Sequence, residues 1–379
     1  MSVTCSLSGL AQGADLSAPL RFENACTPAQ ESLILASVGD LLMHSPLQCQ
    51  AAALDAEGGF ATLWRDVQPW LDQADLRYGN LEGPISGSRP ESSYPRFNYS
   101  EKLADALVRS GFDIVSTANN HALDQGPRGV DETLAQLQAR GMPWAGTRLS
   151  NDIENESWSS TVEARGFRIA FVACTFSTNG IQDPNHQVLD CYRDEARLLA
   201  RVRALSSDSA IDAVLVTPHW GVEYQHEPER KERALALRIL DAGALAVVGA
   251  HPHVLQPMER HLIKGKERFV IYSLGNFVSG QVGTNRRTSS LLFLRFIRLQ
   301  NGEVTIAGAK GLPLLMAQIN GRIGVRPAST VASDYGRAAL SIHRRVLGSS
   351  NEIDTNLRVE EAFLRDCVSH PVSSGVRIR

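Results

Sequence analysis

Polar and ionisable side chains follow several predicted buried strands, at the points where those strands end. They are Asp40 and His44, Asn80 and Glu82, Asn120 and His121, His219, and the pair His251 and His253. The carboxyl ends of strands in open α/β sheets border the crevice in which ligands bind. Five of the ten histidines lie at these strand ends, more than a random scatter of surface histidines predicts. The pattern therefore predicts one shared site.

The residue types at these strand ends indicate metal chemistry. Imidazole, carboxylate and amide ligands without a thiolate suit borderline or hard divalent ions, such as manganese, iron(II) or zinc. Two carboxylates with several neutral ligands can hold two ions about 3.5–4 Å apart, which activates water and neutralises a phosphoryl group during its transfer. We therefore predict one or two ions of Mn, Fe or Zn.

The tripeptide His251-Pro252-His253 is the most specific local signal. Proline disfavours helical backbone at His251, and extended backbone directs alternate side chains to the same side. We therefore predict that both imidazoles serve one site. Gly249 precedes them and would let the backbone pass close to something bound there.

A second local pattern indicates proton transfer. Asn120 and His121 follow a predicted strand, and Asp124 comes three residues later. These residues can supply a metal ligand, an acid/base and the carboxylate that orients it. An Asx-turn that begins a helix is the structural alternative, just as Asp40 can be a helix cap instead of a ligand.

Hydrophobic periodicity predicts the elements that position these side chains. Buried strands are predicted at 33–38, 113–117, 214–217, 245–248 and 268–273, with a short strand before Asn80. Hairpins are predicted at 159–164 with 168–174 and at 290–299 with 303–307. Helices are predicted at 60–73, 100–108, 130–140, 194–205, 330–346 and 356–364. Polar segments 84–98 and 177–190 are predicted to be loops at the rim of the site.

Composition excludes several classes of protein. The chain has 379 residues, 43% hydrophobic and 21% charged, with a net charge of −3. This balance argues against a nucleic-acid partner or an anionic membrane, and no apolar run is long enough for a membrane span. The first residues lack the features of a secretory signal. Six cysteines without a C-x-x-C pair favour reduced thiols, so a cytoplasmic location is expected.

Six ordered motifs resemble the CapA/PgsA family of capsule and poly-γ-glutamate synthesis proteins, which are related to calcineurin-like metallophosphoesterases. They cover about residues 33 to 277 and are Gly39-Asp40 with His44, Asn80-Leu81-Glu82, Asn119 to Gly126, His219 to Tyr224, Gly249 to Gln256 and Ser273 to Phe277. The resemblance implies an α/β fold, a four-layer α/β/β/α sandwich of metallophosphoesterase type with mixed sheets. We expect an N-terminal extension at 1–30, this domain at 31–320 and a helical appendage at 321–379.

The resemblance also implies residue roles. Asp40, His44, Glu82, Asn120, His219, His251 and His253 correspond to metal ligands, and Glu82 stands where related phosphoesterases have a bridging aspartate. His121 corresponds to the general acid and Asp124 to the residue that holds it. Asn80, Glu223 and Asn276 are predicted to contact substrate.

Three functions remain open from the sequence. The first is a metal-dependent hydrolase of a phosphoester or a γ-glutamyl polymer. The second is a metal-independent peptide epimerase, because some relatives resemble such enzymes and fold does not fix chemistry. The third is a non-catalytic polymer-binding accessory protein. The expected partner is thus a polymer, peptide or phosphoester substrate, and the sequence predicts no oligomeric state.

Overall fold

The computed structural model of the chain describes residues 20–29, 31–152 and 158–368. The described strands are β1 Ser32–Leu42, β2 Leu76–Leu81, β3 Ile114–Ser116, β4 Trp144–Ala145, β5 Ser159–Ala164, β6 Phe167–Thr175, β7 Ala213–His219, β8 Ala246–Val248, β9 Leu255–Ile263, β10 Lys266–Leu274, β11 Asn276–Ser279, β12 Thr288–Arg298, β13 Val304–Ile319 and β14 Arg322–Pro327. The helices are α1 Ser45–Ala53, α2 Gln68–Leu71, α3 Lys102–Arg109, α4 Gly126–Gln138, α5 Glu195–Ser207, α6 Arg230–Asp241, α7 Thr284–Arg287, α8 Asp334–Leu347 and α9 Val359–Val368.

The strands form two mixed sheets. The first has the order β14-β13-β12-β1-β2-β3-β4, with β11 also paired to β1, and the second has the order β5-β6-β7-β8-β10-β9. Strands β1, β2 and β3 are parallel to one another, as are β6, β7, β8 and β10. The carboxyl ends of the parallel strands of each sheet therefore lie at one edge of that sheet.

Alternation along the second sheet shows how the layers stack. Phe171, Leu215 and Ile271 join the large core shared with the first sheet. Their neighbours Val172 and Val216 join a separate core. Helices α5 and α6 supply the other side of that separate core, whereas α3 and α4 pack in the large one. Because successive strand residues face opposite sides, the second sheet is covered on both faces, and the predicted sandwich with mixed sheets is confirmed.

The individual elements mostly agree with the sequence, and the differences have local causes. Both predicted hairpins form, as β5 with β6 and β12 with β13. The predicted helix 60–73 is wrong, since the chain forms a 3₁₀ turn at Gly59–Leu63 and the short α2. Pro69, at the start of α2, has no N–H to donate to a preceding turn and disfavours helix at the residue before it. Strand β9 was not predicted because it contains Pro257, and it lies at the sheet edge, where proline is tolerated.

The expectation of reduced cysteines is wrong for four of the six. Cys26 pairs with Cys367, and Cys174 pairs with Cys191, as disulfides. Their Cα atoms are 5.3 and 5.0 Å apart, within the range that a disulfide requires. The sequence separation of 341 residues in the first pair gave no signal of this contact.

The remaining expectations concern the two ends of the chain. The expected absence of a secretory signal falls on residues 1–19, outside the described residues, and the division into three segments stays a prediction. Strand β14 lies in the segment expected to be helical, where it pairs with β13. Among the described residues, none of the helices has both the length and the apolar character that a bilayer crossing requires.

Helix α8 packs on the first sheet through a buried histidine. His343 is fully buried, with Nε2 3.1 Å from Ser290 Oγ. Its Nδ1 has no hydrogen-bond partner among the described residues. Burial, helped by the neighbouring Arg344 charge, lowers the pKa of His343 to about 3. The imidazole is therefore neutral in the folded protein over the physiological pH range.

This depressed pKa predicts a specific loss of stability in acid. Below pH 6.5 the unfolded chain protonates His343 while the folded protein does not, so protons favour unfolding. The contribution is fully retained above pH 6.5 and lost as the pH falls toward 3. Between pH 6.5 and 4.5 it removes about 2–3 kcal/mol from the free energy of unfolding. Urea unfolding at several pH values should show a shallower pH dependence for His343→Gln than for the unaltered protein.

The matched control for this measurement is His186→Gln, which removes an exposed histidine. Its pH dependence should equal that of the unaltered protein. A His343→Gln variant with the same pH dependence as the unaltered protein would show that His343 does not couple folding to protons.

Candidate metal centre

The candidate site lies where the carboxyl ends of the two sheets meet. In the first sheet Asp40 lies in β1 and Asn80 in β2, and the two residues are register partners. Glu82 follows β2 directly. In the second sheet His219 is the last residue of β7, and His251 follows β8. Parallel pairing within each sheet thus positions these side chains at a common edge, as the sequence predicted.

Hydrogen bonds connect the two sheets across this edge. His253 Nδ1 lies 3.0 Å from both Asp40 Oδ2 and Asn276 Oδ1. Asn80 Nδ2 donates to Asp40 Oδ1 at 2.9 Å and lies 3.2 Å from His219 Nδ1. All of these side chains are buried. These contacts hold the side chains in place across the two sheets. They include Asn80 and Asn276, two residues predicted to contact substrate.

Glu82 occupies the centre of the cluster. It is completely buried, and neither carboxylate oxygen has a hydrogen-bond partner among the described residues. His219 Nε2 is 3.5 Å from Glu82 Oε1, and His253 Nε2 is 3.9 Å away. Burial alone would raise the pKa of Glu82, but the charges on His253 and His219 outweigh it and hold that pKa well below its usual range. Glu82 is therefore a buried anion with unused oxygen lone pairs.

Two groups of donor atoms share this carboxylate. Glu82, His251 and His253 form the first group, and Asp40, Glu82 and His219 form the second. Within each group one donor atom from every residue lies within 4.8 Å of the others. An isolated buried carboxylate is costly unless it is paired or coordinates a metal. The buried carboxylates and imidazoles therefore fit a divalent metal ion, and Glu82 would be a donor in either group.

The backbone of the His-Pro-His segment differs from the expectation. His251 has φ +98° and His253 has φ +57°, so neither residue is extended. Positive φ is uncommon outside glycine and is concentrated at functional sites. The two imidazoles nevertheless converge, with ring centroids 5.7 Å apart. His251 and His253 therefore lie together as predicted, but the prediction of extended backbone is wrong.

Gly249 packs against protein rather than beside an open ligand space. A Cβ at this position would lie 2.1 Å from the Tyr272 carbonyl oxygen and 2.7 Å from Trp220 Nε1. The missing side chain lets β8 end tightly against β10. It therefore helps to fix the turn that carries His251.

The two imidazoles of this segment have opposite protonation preferences. Burial, together with the neighbouring His219 and His253, holds the pKa of His251 well below its usual value. Burial also opposes the charged form of His253, but the Glu82 charge and the Asp40 hydrogen bond outweigh it and raise the pKa of His253 to about 9. Neutral imidazole is the form that binds metals. His251 is therefore in the neutral form that binds a metal ion, whereas His253 must lose a proton before it can bind one.

His121 and Asp124 form the pair that the sequence suggested. His121 Nδ1 lies 2.7 Å from Asp124 Oδ2, and both residues are buried. The same Asp124 oxygen accepts from the backbone N–H of Phe97 at 2.7 Å. The Phe97 ring packs edge-on against the imidazole, with centroids 4.7 Å apart. These contacts hold His121 in one orientation.

A cavity of about 290 Å³ opens beside His121. Its lining includes Arg96, Asn120, Asp124, Asn179 and Glu223. Asn120 joins the cavity to the buried cluster, since its Oδ1 lies 2.9 Å from His219 Nε2. The described lining thus includes His121 itself, while the two donor groups lie behind Asn120 and do not line the cavity.

His44 lies beside the cluster but belongs to neither donor group among the described residues. Its Nδ1 accepts from the Gly280 N–H at 3.2 Å and is also 3.2 Å from the Leu42 carbonyl oxygen. Burial lowers its pKa. Its assignment as a ligand stays a prediction, and the contacts fit a residue that fixes the loop after β1.

Several residues that contact the site carried no sequence signal. Tyr99 donates its hydroxyl to the Glu82 carbonyl oxygen, and Ser116 donates to Asn80 Oδ1 at 2.9 Å. Phe176 packs on His251 with centroids 4.5 Å apart, and Asn179 Oδ1 accepts from Asn120 at 3.3 Å. The position of Phe176 and Asn179 at or near the predicted 177–190 rim loop was the one clue available.

Comparison with known proteins decides the family. The family model described as bacterial capsule synthesis protein PGA_cap matches residues 34–281, more than half of the chain. The chain belongs to this family. The resemblance derived from the six motifs is therefore confirmed, and the PGA_cap match spans all the residues proposed here for the metal centre.

Two Bacillus proteins are among the relatives of this chain. The capsule biosynthesis protein CapA of Bacillus anthracis is 29% identical over 276 residues, 69% of this chain and 63% of that protein. The PGA biosynthesis protein CapA of Bacillus subtilis is 28% identical over 278 residues, 70% of this chain and 68% of that one. The match thus spans less than two thirds of the B. anthracis protein. Among solved structures, the NAD nucleotidase of Haemophilus influenzae aligns with a TM-score of 0.44 at 12% identity, over 89% of this chain and 67% of that one.

Proposed function

We propose that this chain is a divalent-metal-dependent hydrolase that cleaves a phosphoester or a γ-glutamyl bond in capsule or poly-γ-glutamate metabolism. The observation that carries the proposal is Glu82, a buried carboxylate with two unpartnered oxygens that belongs to both donor groups. Membership of the PGA_cap family supports the biological setting. Manganese, iron(II) and zinc suit this mixture of donors.

The proposed ligands are Asp40, Glu82, His219, His251 and His253. When bound, a divalent ion lowers the pKa of water and offsets negative charge on the group under attack. The chain's own contribution is to hold the donors rigidly, through the contacts of Asp40 with Asn80 and His253. Asn120, whose amide oxygen faces His219, is proposed to line the approach to these donors.

His121 is proposed as the general acid. Asp124 holds Nδ1, which leaves Nε2 to give a proton to the departing oxygen or nitrogen of the substrate. The neighbouring cavity has room for the group next to the cleaved bond. Glu223, half-buried in the same lining, is proposed to accept a hydrogen bond from the substrate.

We infer an oxidising compartment in place of the cytoplasmic location expected from the sequence. Disulfides persist in oxidising environments and are rare in the cytosol. The Cys174–Cys191 disulfide closes the base of the segment that carries Phe176 and Asn179. An oxidised state therefore supports the geometry of the proposed site.

Metal removal tests the proposal. Incubation with a chelator, followed by dialysis, is expected to abolish turnover of phosphodiesters, phosphomonoesters or γ-glutamyl peptides, whichever the protein cleaves. Addition of Mn²⁺, Fe²⁺ or Zn²⁺ should restore it. The chelated protein should also unfold at a lower temperature, because an ion bound to the folded state stabilises that state. A folded protein whose turnover is indifferent to chelation would contradict the proposal.

A further inference from the structure

The cavity beside His121 has an uneven distribution of charge. Arg96 is the one guanidinium group in its described lining, which also contains the carboxylates of Asp124 and Glu223. The Asp124 carboxylate already contacts His121 Nδ1 and accepts a hydrogen bond from the Phe97 N–H. Arg96 is exposed, and its guanidinium has no ion-pair partner among the described residues. An unpaired cation therefore stands at the mouth of the cavity.

Hydrogen bonds hold the backbone at Arg96 and at the residue that follows it. The Arg96 carbonyl oxygen accepts from Ser92 Oγ at 2.7 Å. The next residue, Phe97, donates its N–H to Asp124 and accepts from Gln125 Nε2 at 2.9 Å. The segment that presents Arg96 is thus tied to the carboxylate that orients His121. A cation on a fixed backbone binds an anion with less loss of conformational freedom than one on a free loop.

The other polar side chains of the cavity lining favour a substrate that has neutral polar groups as well as a charged group. Asn120 and Asn179 are neutral amides, while Glu223 accepts hydrogen bonds. Arginine binds carboxylate and phosphate through two parallel N–H···O bonds. We propose that Arg96 is a specificity-determining residue that binds a carboxylate or phosphate group of the substrate, next to the bond that is cleaved. This rests on the proposed function, because it takes the cavity beside His121 as the substrate site.

Binding rather than turnover provides the test. Isothermal titration calorimetry of the full-length, chelator-treated protein would measure the affinity of three probes. They are γ-linked tetraglutamate, the same oligomer with its carboxylates converted to amides, and bis(4-nitrophenyl) phosphate. Arg96→Gln is compared with Arg89→Gln, which removes an exposed arginine from the same 84–98 segment outside the cavity lining. The two variants change the net charge equally.

Arg96→Gln should weaken binding of at least one anionic probe by about ten- to a hundredfold, the effect of one charge-assisted hydrogen-bonded pair. If only the tetraglutamate binds more weakly, then Arg96 binds a carboxylate group. If only the phosphodiester binds more weakly, then Arg96 binds a phosphate group. The amide oligomer should be unaffected, and Arg89→Gln should stay within about twofold of the unaltered protein.

Equal losses in the two variants would overturn the inference, because they would reflect net charge alone. So would unaltered protein that binds the charged probes no better than the amide oligomer. Metal content and turnover are measured separately. A protein that shows the Arg96 effect but no metal-dependent hydrolysis keeps Arg96 as an anion-binding residue of this cavity and loses the proposed function, together with the position of Arg96 beside a cleaved bond.

Discussion

Glu82→Gln is expected to lower turnover by about a thousandfold or more and to reduce the bound metal at the same time. The neutral amide keeps the shape of the side chain but removes the charge shared by both donor groups. An ion at such a site contributes several kcal/mol to the stability of the transition state, and about 4 kcal/mol corresponds to a thousandfold. Steady-state kinetics and elemental analysis of the same preparation check both effects.

The matched control is Glu91→Gln, an exposed carboxylate in the 84–98 segment. It should leave metal content and turnover unchanged. Circular dichroism must show that the Glu82→Gln variant is folded. A folded Glu82→Gln variant with normal turnover and normal metal content would remove Glu82 from the centre of the site.

His121→Gln is expected to separate proton transfer from metal binding. It should lower kcat by about a hundred- to ten-thousandfold, the usual contribution of a general acid. Metal content should be unchanged, because His121 belongs to neither donor group. The loss should be smaller for substrates with an aryloxide leaving group, which departs readily without a proton. Asp124→Asn should show a similar dependence on the leaving group, since Asp124 orients the imidazole.

His186→Gln, on the 177–190 segment, provides the control with an exposed histidine. Its kcat should match that of the unaltered protein for every substrate. If kcat of the His121→Gln variant falls by the same factor for substrates with good and with poor leaving groups, then His121 positions the substrate and does not supply the proton.

The residues at the strand ends could be predicted from the sequence. The periodicity of a strand is visible in a short stretch of residues, and parallel pairing of such strands is a general rule of α/β folds. Asp40, Asn80 and His219 each follow or end an apolar run, and parallel strands bring such ends together. The pair His251 and His253 was predicted from its spacing, although its positive φ values come from the surrounding fold. Sequence periodicity does not report such backbone strain.

Other features depend on contacts between distant parts of the chain. Tyr99 reaches the Glu82 carbonyl group, and Phe176 reaches His251 across 75 residues of sequence, and neither pairing leaves a periodic trace. The Cys26–Cys367 disulfide joins residues 341 apart. Periodicity also overstated helix near Trp64, where buried apolar residues lie in short turns instead. Three-dimensional packing decides these details.

Elemental analysis of the protein, purified without chelator or affinity metal, is the sharpest test of whether the buried cluster around Glu82 binds a metal ion. It is performed beside the double variant His251→Ala/His253→Ala. We expect about one or two equivalents of manganese, iron or zinc in the unaltered protein and a large loss in the double variant. Metal in neither protein would rule out the proposed metal centre and would favour a metal-independent acid/base enzyme or a polymer-binding protein.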